Sequence, residues 1–108
     1  MKSIFALLSV ALLSTTAEAS NLCSKYEKYP RYMKAIETVA TYQNYSLEEF
    51  CTLSHVWDVE AQPHRLFDRD GEVIPHVRVQ QHLEFSSCLF MVNETNYTIT
   101  SSKCYSGT

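Results

Sequence analysis

Between His76 and Phe85 apolar and polar residues alternate, in the run HVRVQQHLEF. Val77, Val79, Leu83 and Phe85 fall on one side, with Gln81 as the single polar residue among them. His76, Arg78, Gln80, His82 and Glu84 fall on the other. A period of two predicts a strand with one buried and one wet face. The length of the run predicts a place in the middle of an antiparallel sheet.

The flanking chain supplies the neighbours. Pro30 opens a helical pattern, at a first-turn position where its missing N–H costs nothing. Met33, Ile36, Ala40 and Val39 form the apolar stripe of that helix, and Asn44 ends it. Ser46 and Glu49 have the spacing of a capping box, which predicts a short second helix burying Phe50, Cys51 and Leu53. Tyr26, Tyr29, Tyr32, Tyr42 and Tyr45 crowd around the first helix, read as amphipathic cover with wet hydroxyls, with a binding surface as the alternative.

From His55 the pattern turns to β. Trp57, Val59 and Ala61 are expected on one side of a strand that Gln62-Pro63 breaks. His64 to Asp68 reads as a further short strand, and Arg69-Asp70-Gly71 as a hairpin turn. Pro75, near the start of the long strand, marks a bulge or a free edge. Ser86-Ser87 reads as the next turn, Cys88 to Val92 as a buried run, Asn93 to Asn96 as a polar turn and Tyr97 to Cys104 as the last strand. The expected fold is α+β: one or two N-terminal helices on one face of a four- to five-stranded antiparallel meander.

Residues 1–19 carry Lys2, the apolar run Ile4 to Leu13 and the small-x-small order Ala17-Glu18-Ala19. This predicts a secretory signal peptide, a mature chain from Ser20 and a secreted, extracellular product without a membrane anchor. The remainder, 20–108, reads as a single domain. The formal net charge is −3 at pH 7, which gives no basic surface for nucleic acid. All four cysteines follow the leader, so two disulfides are expected to staple a small core. If Asn93–Asn96 closes a hairpin, Cys88 lies opposite Ser101 and Cys104 is three residues out of register. That reading favours Cys23–Cys104 and Cys51–Cys88. Sequons at Asn44, Asn93 and Asn96 are candidate glycosylation sites.

The polar side of the long strand is the candidate binding surface: His76, Arg78, Gln80, His82 and Glu84. A His, Arg and Glu set on one sheet face suits acid–base chemistry on a phosphate, as in small secreted ribonucleases. However, His76 and His82 lie about 20 Å apart along a strand, so only neighbours cooperate. His64 is expected opposite His76, a pair without an evident third metal ligand. Asp68 to Glu72 lacks the length and flanking helix of a calcium loop and reads as a turn. With Gly71 and Gly107 as its only glycines the chain holds no phosphate cradle. No catalytic residue, cofactor or metal is assigned.

Two resemblances add expectations. Ser-Cys-Leu-Phe at 87–90 and Thr-Ile-Thr-Ser-Ser-Lys-Cys at 98–104, after a helix and a meander, resemble the C-terminal part of secreted cystatins. The Gln-x-Val-x-Gly inhibitory hairpin of that family is absent, and Cys23 does not fit its pairing. The overall layout, with a leader, a small mature chain, early and late cysteines and no enzyme motif, is similar to small secreted effectors of plant-pathogenic fungi. That resemblance implies a non-enzymatic virulence protein that binds a host or extracellular protein; a monomer is expected. A protease inhibitor and a ribonuclease-like hydrolase are the alternatives.

Overall fold

The structure, a computed structural model, describes residues 21–106. The expected leader therefore lies outside the described residues. Its elements are a 3₁₀ turn at Ser24–Tyr26, helix α1 at Pro30–Tyr42, helix α2 at Leu47–Cys51, and strands β1 at Val56–Phe67, β2 at Val73–Leu83, β3 at Ser86–Asn93 and β4 at Thr98–Ser106. The four strands form one antiparallel sheet in the order β1-β2-β3-β4. One main helix, one short helix, this meander and two disulfides make an α+β domain.

The helices form for the reasons the sequence offers. Pro30 stands in the first turn of α1, and Ala35, Ile36, Val39 and Ala40 are its buried stripe. Asn44 leaves the helix at φ 65, a left-handed conformation asparagine tolerates. The Ser46 hydroxyl accepts from the Glu49 N–H, and the Glu49 carboxylate accepts from the Ser46 N–H, closing the capping box of α2. Two hydrogen bonds from Ser46, the backbone one first, hold the Glu49 carboxyl below its usual range. Phe50 and Cys51 are buried beneath α2.

The core lies between α1 and one face of the sheet. Val59 and Ala61 of β1, Val77 and Val79 of β2, and Phe90 and Val92 of β3 meet Ile36, Val39 and Phe50 there. The face alternation read from the central strand holds at Val77 and Val79, and Gln81 is buried among them, its carbonyl oxygen accepting from the Gln43 amide.

Four expectations need correction. First, β1 is continuous through Gln62-Pro63, so there are four strands. Second, Trp57 is 66 % exposed rather than on the buried side. The β1–β2 register shifts between Val56 and Asp58, so Trp57 is the extra residue of a bulge, and Val56 takes its place in the core. Third, β2 ends at Leu83 and the turn is Glu84-Phe85 rather than Ser86-Ser87, which leaves Phe85 74 % exposed.

Fourth, neither favoured disulfide forms. The bridges are Cys23–Cys51 and Cys88–Cys104. The register between the last two strands explains the second. Asn93 pairs with Thr98, two residues later than the assumed turn allows, and a shift between Met91 and Val92 adds one more. Those three residues bring Cys104 opposite Cys88. Cys23 then pairs locally, where the Leu22 N–H donates to the Cys51 carbonyl at 2.8 Å.

Candidate functional site

No described helix covers the second face of the sheet. The register places Asp58, Glu60, Gln62 and His64 of β1 on it, opposite His82, Gln80, Arg78 and His76 of β2. Ser87, Leu89, Met91 and Asn93 of β3 continue it, followed by Tyr105, Lys103 and Ser101 of β4.

Of the five candidate residues, Arg78, Gln80 and His82 stand together on this open face. His82 Nε2 contacts the Glu60 carboxylate, and the Arg78 guanidinium donates to the Gln62 amide oxygen. Glu84 lies in the exposed turn beyond the strand. His76 is not open. It is 3 % exposed, with Nδ1–H donating to the Ile74 carbonyl at 2.9 Å and Nε2 against the Thr100 hydroxyl at 3.0 Å. Thr100 reaches it because the β3–β4 shift displaces that part of β4.

Glu60 is the neighbour of the candidate residues that sequence reasoning did not single out. Its signal was the alternation of β1, but pairing it with His82 requires the strand register. A carboxylate against an imidazole beside a guanidinium is a set capable of moving a proton near an anion. Here the imidazole faces the carboxylate, and the guanidinium is held by a neutral amide. His64 faces His76 as expected, and among the described residues no group of three His, Cys, Asp or Glu side chains is placed to hold a metal.

At one end of the sheet three aromatics are exposed. Trp57 sits at the bulge, Phe85 in the β2–β3 turn, and Tyr105 opposite Ser87. At the other end β3 stops at Asn93, opposite His76, while β1 and β2 continue for three more pairs. The last two are Leu66 with Ile74 and Phe67 with Val73, and Phe67 is 64 % exposed. Asp68 closes this projecting arm by accepting from the Asp70 and Glu72 N–H groups, and Gly71 supplies φ 79. At its base a cleft of about 330 Å³ is lined by Arg31, His64, Arg65, His76 and Glu94 among others. Arg31 grips Glu94 with two N–H groups, which raises its pKa further and ties α1 to the β3–β4 loop.

The candidate glycosylation residues are spread. Asn44 is exposed at the end of α1. Asn93 and Asn96 flank the β3–β4 turn, where their side-chain oxygens accept from the Thr95 and Thr98 N–H groups. No described helix is long and apolar enough to cross a membrane. The chain matches no protein-family model, no curated protein and no solved structure.

Proposed function

We propose that this chain is an exported, non-enzymatic binding protein of the effector type, which docks a host or extracellular protein on the open face of its sheet. One observation carries the reading. The described helices cover a single face, while the other presents Glu60, Arg78, Gln80, His82 and Lys103 together, with Trp57, Phe85 and Tyr105 exposed at one end of the sheet. Exposed aromatics and arginine are the residue types that dominate protein interfaces. Mixed charge around them sets specificity and on-rate. Two disulfides in so small a domain accord with an oxidising compartment, and the leader-like N-terminus supports export. The three sequons are consistent with a glycoprotein if the source glycosylates its exports.

The test is affinity capture from target-tissue extracellular fluid with the wild type and a Glu60→Ala, Arg78→Ala, His82→Ala variant of unchanged fold. Loss of the captured proteins in the variant supports the reading. Retention of all of them rejects it.

A second reading, a protease inhibitor, is favoured by the projecting arm, whose Leu66, Phe67, Val73 and Ile74 form an apolar wedge beyond β3. Titration against papain-like proteases separates the two. Stoichiometric inhibition that is lost in a Phe67→Ala, Val73→Ala variant would favour the wedge. Ribonuclease activity abolished by His82→Ala would overturn both.

A further inference from the structure

The sheet has two edges, and the chain treats them differently. On β1, the Ala61 N–H donates to the Tyr26 hydroxyl at 2.8 Å, outside the sheet. Ala61 therefore points its main-chain groups away from β2, and with a period of two so do Val59 and Pro63. The Val59 N–H is taken by the Asp58 carboxylate at 2.9 Å, and Pro63 has no N–H to offer. Three successive outward positions are thus closed to a further strand, and Trp57 adds a bulge beside them. These are the devices by which edges avoid pairing.

The same alternation runs across the sheet. Ala61 pairs with Val79, Val79 with Phe90, and Phe90 with Ser102. If Ala61 faces away from β2, Val79 must hydrogen-bond to Phe90, and Ser102 must face away from β3. Cys104 and Ser106 share that parity. The Cα separation of 4.0 Å at Cys88–Cys104 agrees, because pairs without mutual hydrogen bonds lie closer together. Ser102, Cys104 and Ser106 therefore present their N–H and C=O groups at the free edge. Among the described residues nothing bonds to those three N–H groups there. The segment from Ser101 to Ser106 has no proline and no bulge, and the disulfide locks it to β3.

We propose that this edge pairs with a second copy of the chain, antiparallel, with Cys104 opposite Cys104 of the second copy. The expected monomer then gives way to a two-fold dimer with one eight-stranded sheet. Charge selects the register. Pairing centred on Lys103 would set two like charges opposite each other, which is destabilising. Pairing centred on Ser102 would run the ladder into the displaced Thr100. Centred on Cys104, the hydrogen-bonded pairs are Cys104 with itself and Ser102 with Ser106. Lys103 then faces Tyr105 of the second copy, twice. Lys103 already lies 5.8 Å from the Tyr105 ring within one chain, so both stand on the same face. A lysine beside a tyrosine ring is a favourable pair. The two-fold axis also sets both open faces on the same side of the joined sheet. This inference does not depend on what binds there.

Sedimentation equilibrium of the oxidised protein from about 1 µM to about 1 mM tests it, together with amide exchange over the same range. The mass should rise towards twice that of the chain. Exchange at Ser102, Cys104 and Ser106 should slow with concentration, while exchange at Ala61 should not. Tyr105→Lys, which opposes two lysines across the axis, should remain monomeric throughout the range. Lys103→Glu combined with Tyr105→Lys should restore the dimer. A mass that stays monomeric, or a dimer that leaves those three amides unprotected, would overturn the proposal whether or not the variants fold.

Discussion

Asp58 illustrates how much one side chain does at the rim of this sheet. One of its oxygens accepts from Lys25 at 2.8 Å and from the Val59 N–H at 2.9 Å. The hydrogen bond from Lys25 holds the ammonium protonated above its ordinary range. The pair is about half exposed, so it fixes geometry more than it adds stability. Tyr26 closes the next outward N–H with its hydroxyl. Tyr26→Phe should cost about 0.5–1.5 kcal/mol in chemical denaturation. An unchanged midpoint would mean that water caps Ala61 as well. Glu49 gives a pH signature. Its folded pKa is depressed, so its contribution is present above the unfolded carboxylate value of 4.5 and is lost as pH falls through the folded one. Relative to the intrinsic exchange rate at each pH, protection of the Phe50 and Cys51 amides should fall between about pH 5 and about pH 3, and Glu49→Gln should remove the step. The capping box was legible because both partners lie within four residues. The Tyr26–Ala61 and Glu60–His82 contacts were not, since each needs a register that no local pattern contains.

At the scale of elements, the two prolines show what alternation says and what it leaves open. Both interrupt the β pattern, yet both lie inside strands. Pro63 turns its missing donor to the free edge. Pro75 is aligned with the open space past the end of β3, and its carbonyl accepts from the Glu94 N–H at 2.9 Å. The α1 stripe, α2 and the inward set of β2 could be read from the chain, because each is a short-range period. The bulges at Trp57 and in the β3–β4 pair could not, and each reverses a conclusion downstream. The first puts a tryptophan in water, and the second adds the last of the three residues of register that join Cys88 to Cys104. Non-reduced peptide mapping should therefore recover Cys23 with Cys51 and Cys88 with Cys104. A peptide joining Cys51 to Cys88 would refute the β3–β4 register. Replacing Cys88 and Cys104 together by alanine should lower stability by about 2–4 kcal/mol, seen as a shifted denaturation midpoint.

At the scale of the whole molecule, the described residues form a two-layer domain with one face used for folding and one left over. Phe50, fully buried between α2 and the sheet, anchors the first. Phe50→Ala should cost about 3–5 kcal/mol, a large share of what a domain of this size possesses. Arg78 belongs to the second face, and its loss should leave the melting temperature nearly unchanged. That asymmetry lets binding and folding be measured apart. The decisive measurement is the equilibrium affinity of a captured partner for wild type, for Arg78→Ala and for the Phe67→Ala, Val73→Ala arm variant. A central, buried arginine contact predicts at least about a tenfold weaker complex with Arg78→Ala, while the arm variant binds as the wild type does. Unchanged affinity in Arg78→Ala, with loss in the arm variant, would contradict the account and move the site to the hairpin tip.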